Sequence, residues 1–320
     1  MKDEPLLVEP EPFRPERISG VEVLAPITDD ERFATWHIKL NGQEAFLKAS
    51  KTNDSRQRLV NEIWGNTTMA QLAEADDAPF RVPRIMVNSI REGWFITEFI
   101  DGQALSPGDY SVATVQAAEP VLLEIYAFMD QAIVPEPSYG PVRFGSSKTA
   151  DDLEQKIRGK FDSIPQAMAQ FDSGLIDDAL KYVTDNYDRL KPAFAHGDLT
   201  PKHVMAAEES QPYIIDFESA SLYWPRFYEL INYTTKINIV HGLGAESGQF
   251  ITRFFERIEE SVEEHSAELK AVAAIRALLI VHELAARPTN QRIYDTQLSQ
   301  EHRGRVEEVL RLCLSDKPLV

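Results

Sequence analysis

The chain has 320 residues, 43% hydrophobic and 26% charged, enough to bury a core without disulfides or a structural metal. A formal net charge of −18 argues against nucleic acid as a partner, because a phosphate backbone would be repelled. The acidic, proline-rich start MKDEPLLVEPEPFRPER lacks the apolar stretch of a secretory signal. Cys313 is the single cysteine, so a reducing, cytoplasmic setting without a membrane is expected.

Residues 1–17 read as a flexible N-terminal segment. From 18 to 102 the pattern is mainly β. VEVLAPI gives a first strand, and FATWHIKL and QEAFLKAS flank Asn41-Gly42, a dipeptide suited to a type I′ hairpin. In SRQRLVNEIWGNTTMAQLAEA, the residues Leu59, Ile63, Met69 and Leu72 recur near helical spacing. RVPRIMVNSI and GWFITEFIDG supply two further strands, turning near Arg91-Glu92-Gly93.

Beyond Gly102 helical patterns dominate, over 113–131, 150–170, 175–190, 226–238, 245–267, 268–287 and 296–314. AVAAIRALLIVHELAA is interrupted by Arg276, His282 and Glu283 and is too short to span a bilayer, so it reads as a buried helix. One strand-like island, HVMAAEESQPYIIDFE, reads as a hairpin with a polar turn at Glu208-Glu209-Ser210. The expected architecture is α+β: a small β-rich lobe at 18–102 and a larger helical lobe at 103–320.

The stretch FAHGDLTPKHVM, residues 194–205, gathers two histidines and an aspartate at the start of that hairpin. Asp198 stands before its first strand and Asp216 at the end of its second, so the hairpin should return the two carboxylates to one mouth. Two chemistries fit. His196, Asp198, His203 and Asp216 could bind a water-activating transition metal. Alternatively, Asp198 orients or deprotonates a hydroxyl while Asp216 holds Mg²⁺ on a nucleotide. A polar loop with satisfied side chains would need neither. Lys48 weighs on the choice: it lies on a strand among apolar neighbours, where an ammonium needs a partner. Glu62, on the following helix, can supply one. An ammonium held this way suits nucleotide phosphates and has no use in a metallohydrolase.

With these elements in this order, the chain resembles the aminoglycoside phosphotransferase and choline kinase family, within the protein-kinase-like fold. Lys48, Glu62, FITEFIDG, HGDLTPKHV and IIDFE carry the resemblance, which spans roughly residues 20 to 235. It implies a kinase that moves the γ-phosphate of ATP or GTP, with Mg²⁺, onto a hydroxyl of a small molecule, such as an aminoglycoside or other cationic alcohol. It implies Asp198 as the catalytic aspartate, Asp216 as the Mg²⁺ ligand, Lys48 on the phosphates and Glu62 as the lysine's partner. Thr97 then falls at the gatekeeper position, and backbone groups of Glu98 and Ile100 would meet the adenine edge.

Three departures stand out. His203 occupies a position where the family usually has asparagine; imidazole suits Mn²⁺ or zinc better than Mg²⁺, yet it can still hydrogen-bond Asp198. His203 is therefore assigned an orienting role in the catalytic loop and a place beside the metal. PITDDERFA has no glycine, and its Asp29, Asp30 and Glu31 would oppose a triphosphate. Glu229 in FYEL replaces the aspartate that supports the catalytic loop. These departures leave room for a rival, a pseudokinase-like nucleotide-binding or regulatory module. His196 is expected to shape the loop. Glu218 could bind metal, orient substrate or face solvent. His37, His241 and His282 read as packing or surface residues, Tyr223, Trp224 and Pro225 as packing, and RIEESVEEHSAE as a solvated helix face.

Overall fold

The computed structural model describes residues 13–75, 77–106, 110–132, 149–207, 211–285 and 299–319. The turn at Glu208-Glu209-Ser210, residues 1–12 of the N-terminal segment, and residues 286–287 and 296–298 of the two last helical patterns lie outside the described residues.

The elements in chain order begin with β1 (Val21–Asp29), β2 (Phe33–Leu40), β3 (Gln43–Ser50), α1 (Asn53–Ala75), β4 (Ile85–Ser89), β5 (Trp94–Glu98) and β6 (Gly102–Ala104). Then come α2 (Val112–Gln131), α3 (Ala150–Asp162), α4 (Pro165–Met168), α5 (Ser173–Asp185), β7 (Pro192–Ala195), β8 (Val204–Ala207), β9 (Tyr213–Ile214) and β10 (Ser221–Pro225). Four helices close the chain: α6 (Tyr228–Ile239), α7 (Gly244–Ile258), α8 (Ser266–Ala285) and α9 (Gln300–Leu314). This is the expected α+β plan, a β-sheet region followed by a helical one. The described residues of Met1–Gln103 and Met205–Ser219 form one compact unit, and those of Ala104–Ser138, Gly145–Val204 and Ala220–Val320 form another.

In the first unit a five-stranded antiparallel sheet runs in the order β1-β2-β3-β5-β4. Asn41 and Gly42 both have positive φ, 53° and 86°, and pair Leu40 with Gln43, as a two-residue I′ turn requires. Alternation along β3 sends Ala45, Leu47 and Ala49 into a core with Ile38, Leu40, Trp94 and Ile96. Lys48 therefore points to the opposite face, where Phe33 and Phe95 pack with Leu59 and Ile63 of α1. β8 and β9 lie in a separate three-stranded sheet ordered β6-β8-β9. The segment 211–219 joins the first unit through a bridge between Arg81 and Tyr213 and through Asn61 of α1, whose amide donates to the Glu218 carbonyl at 2.9 Å.

The second unit is built around α6, which is buried at nearly every position and packs on α7 and α8. Ser111 caps α2, Thr149 caps α3 and Asp172 caps α5, each accepting from backbone N–H groups of the first turn. α2 is the one described helix long and apolar enough to cross a membrane, and it packs on α7 and β7. A bidentate pair from Arg226 to Asp130, at 2.7 and 2.6 Å, ties the start of α6 to α2. The described part of AVAAIRALLIVHELAA, residues 271–285, is a largely buried helix, as its pattern suggests. Cys313, on α9, is 1% exposed.

Two helical readings need correction. The 150–170 pattern breaks into α3 and α4, because Pro165 has no N–H to continue a helix and instead begins one. The 245–267 pattern stops at Ile258, where Glu259 adopts a left-handed backbone at φ 58°. RIEESVEEHSAE is accordingly no solvated helix face: Glu260 pairs with Arg226 at 2.9 Å and His265 at 2.7 Å, and Glu268 is buried.

Candidate active site

The first unit places Lys48 between two carboxylates. Its Nζ lies 2.7 Å from Glu62 Oε2 and 3.0 Å from Asp216 Oδ1, with the Phe33 ring 4.4 Å away. Burial opposes the charge on Lys48, but Asp216, Glu62 and Glu218 more than reverse this and hold it well above the usual lysine range. Burial pushes Glu62 up to about 7 even though Lys48 pulls the other way. Asp216 itself has φ 69°, a strained conformation that aspartate tolerates better than most residues and that recurs at functional sites. Its carboxylate is a hard oxygen donor, 34% exposed, with one oxygen on Lys48; that donor chemistry fits Mg²⁺.

Sequence reasoning missed two partners here. Arg32 and Arg58 both reach Glu218, at 3.1 and 3.5 Å, so Glu218 is an anchored carboxylate rather than a solvent-facing one. The acidic turn is also less exposed in charge than its composition suggests. Asp30 Oδ1 accepts from the backbone N–H groups of Arg32 and Phe33, both at 2.7 Å, and Asp29 forms an ion pair with Lys51. Thr97 is buried on β5, on the same sheet face as Lys48. The Glu98 N–H donates to the Arg84 carbonyl at 3.1 Å and is thus engaged within the chain. Ile100 lies just past β5, half buried.

The second unit carries the stretch HGDLTPKH, residues 196–203. Gly197, at φ 85°, makes the tight turn between His196 and Asp198. Glu229, in the first turn of α6, accepts from the Gly197 N–H and, at 3.0 Å, from the Leu199 N–H, so its two oxygens bracket Asp198. The longer carboxylate supports the loop, and burial raises it to about 7. His203 Nδ1 bonds the Asp198 main-chain carbonyl at 2.5 Å, and its ring stacks on His196 at 5.6 Å. The imidazole thus braces the backbone of Asp198. Among the described residues no three His, Cys, Asp or Glu side chains converge on a point that could hold a metal, which removes the transition-metal cluster.

Asp198 is 27% exposed at its side chain and pairs with two lysines that the sequence reading passed over. Lys236 of α6 holds Oδ1, and Lys202 lies 3.5 Å from Oδ2. Burial opposes ionisation of Asp198, but Lys236, Lys202 and His203 outweigh it and hold the carboxyl well below its usual range. Lys202 sat in plain view in HGDLTPKHV. Lys236 had a subtler signal: it follows Glu229 by seven residues, two turns along one face of an otherwise buried helix.

A sequence profile described as APH, the phosphotransferase enzyme family, matches residues 23–232. The chain belongs to that family. Within the matched span lie Lys48, Glu62, Asp198 and Asp216, in that order. No curated protein matches the chain by sequence. Solved structures of the same fold include a thermostable mutant of aminoglycoside phosphotransferase APH(4)-Ia in a ternary complex with AMP-PNP and hygromycin B. It is 16% identical with a TM-score of 0.63, covering 94% of this chain and 97% of that one. An ethanolamine kinase from Plasmodium vivax is 12% identical at TM-score 0.57, over 94% and 85% of the two chains. Choline kinase LicA from Streptococcus pneumoniae is 13% identical at 0.52, over 92% of each.

Proposed function

We propose that this phosphotransferase is a small-molecule kinase that moves the γ-phosphate of ATP or GTP onto a substrate hydroxyl, with Mg²⁺ as cofactor. The observation that carries the reading is the buried, fully charged Lys48 held between Glu62 and Asp216. A cation kept charged in a partly apolar environment, beside a hard carboxylate donor, suits the phosphates of a nucleotide. Mg²⁺ on Asp216 would neutralise charge on the phosphate oxygens. Asp198, ionised and held in position by Glu229 and Lys236, would accept a hydrogen bond from the substrate hydroxyl and orient its oxygen for in-line attack. A carboxylate so strongly stabilised is a weak base, which suits a loose transition state in which the hydroxyl proton leaves late.

The finer expectation, an aminoglycoside or other cationic alcohol, draws on the overall acidity of the chain and on the ligands of similar structures. It has no local counterpart at Asp198, whose carboxylate already holds two ammonium groups. Purified protein with Mg²⁺ should consume ATP or GTP in the presence of a hydroxylated acceptor. Asp198→Ala should abolish this consumption without loss of the folded circular-dichroism spectrum. Retained turnover in that variant would sink the assignment. Nucleotide binding without turnover by the unmodified protein would favour the binding-module rival.

A further inference from the structure

Lys236 is 4% exposed, in the last turn of a helix that is buried at nearly every position. An ammonium placed there needs a carboxylate, and it has one: Asp198, thirty-eight residues away in sequence. The second lysine, Lys202, comes from the catalytic turn itself and approaches the other carboxylate oxygen. With an ammonium at each oxygen, Asp198 has fixed orientation and a restricted direction from which a hydroxyl can donate to it.

We propose that Lys236 is a positioning residue for Asp198 and that, with Lys202, it makes the acceptor site select neutral or anionic hydroxyl compounds over cationic ones. This rests on Asp198 being the hydroxyl-orienting carboxylate.

The charges near Asp198 within its unit support the selectivity. Lys202, Lys236 and His203 are the basic groups acting on Asp198, with Arg276 beyond them on Glu283; Asp198, Glu229 and Glu283 are the anions. Glu283 is taken by Arg276 at 3.0 Å, and Glu229 by two backbone N–H groups. No carboxylate in this described set is left over to receive a substrate ammonium. An ammonium on the acceptor, close to the reacting hydroxyl, would meet Lys202, while a neutral or anionic group would be tolerated or attracted.

The test uses the full chain with Mg²⁺ and ATP and matched acceptors that differ in charge, glucosamine, glucose and gluconate, and ethanolamine, ethylene glycol and glycolate, together with the polycations kanamycin and hygromycin B. The expected result is that the best acceptors are neutral or anionic, with kcat/KM at least tenfold above their cationic counterparts. Lys236→Met should lower kcat at least tenfold with little change in the KM for ATP and should narrow that selectivity. Lys236→Arg, which keeps the charge, should restore part of kcat. Equal or better turnover of the cationic members, or a Lys236→Met protein with unchanged kcat and selectivity, would overturn the proposal.

A thermal-stability double-mutant cycle on Lys236→Met and Asp198→Asn needs no acceptor and separates the two levels of failure. Coupling in that cycle, together with no nucleotide consumption by any acceptor, would refute the kinase reading and this selectivity with it, while leaving the ion pair standing. Coupling together with preferred cationic acceptors would refute the selectivity alone. Additive effects would refute the positioning role.

Discussion

Lys48 is a group that burial alone would tend to neutralise, kept charged by the carboxylates on either side. Lys48→Met would leave Glu62 and Asp216 as neighbouring acids without their cation. Removing one partner of a buried pair typically costs about 3–5 kcal/mol, so the midpoint of urea unfolding should fall clearly. Nucleotide turnover should fall on the order of 10²-fold or more, read by steady-state kinetics on the fraction that remains folded. At this scale the sequence was legible where a residue belongs to a local motif: Lys48, Glu62, Asp198 and Asp216 could all be marked. Arg32 could not, and Lys236 showed only as a charge two turns beyond Glu229, because their partners lie 186 and 38 residues away and no short pattern records such a pairing. His203 was legible as a departure, but its bond to a main-chain carbonyl depends on the turn geometry of the loop.

α6 is the element that sets the catalytic loop. Glu229→Ala would leave the Gly197 and Leu199 N–H groups without their acceptor, at a cost of about 1–3 kcal/mol for each buried group. Denaturant unfolding should show a loss of roughly 2–4 kcal/mol, and turnover should fall with it as Asp198 loses its bracket. At the start of α8, burial raises Glu268 to about 7. Its folded pKa lies above the unfolded value, so the stabilising contribution is complete below about pH 4.5 and is lost as pH rises through 7. Glu268→Gln should therefore raise the stability at pH 8 by on the order of 1 kcal/mol after allowing for solvent screening, read as a higher melting temperature, and leave it unchanged near pH 4. The longer strands and helices were readable from their periodicity. β7 and β10 were not: each has only four or five residues, and Ala195 pairs with Ser221 across the whole catalytic loop and hairpin. The break at Pro165 was readable in principle and was overlooked because amphipathic spacing continues on both sides of it.

At the scale of the whole molecule, a ligand that binds only the folded chain stabilises it by mass action. ATP with Mg²⁺ at a hundred times its dissociation constant should add about 2.7 kcal/mol, visible as a rise in melting temperature. Lys48→Met should lose most of that rise, and Asp198→Asn should keep it, because phosphate holding and hydroxyl orientation are assigned to different units of the chain. The two-part plan was legible because the period of the hydrophobic pattern changes near Gly102. That Met205–Ser219 joins the first unit depends on contacts with Arg81 and α1 that no local pattern encodes. One buried side chain also makes the molecule easy to instrument. Cys313 is the only thiol in the chain, is 1% exposed, and is pushed by burial up to about 12, so it should stay silent toward maleimides at neutral pH. The native sequence is thus already a clean background for dyes or spin labels. One engineered surface cysteine on each unit would turn the distance between them, with and without nucleotide, into a spectroscopic ruler reading.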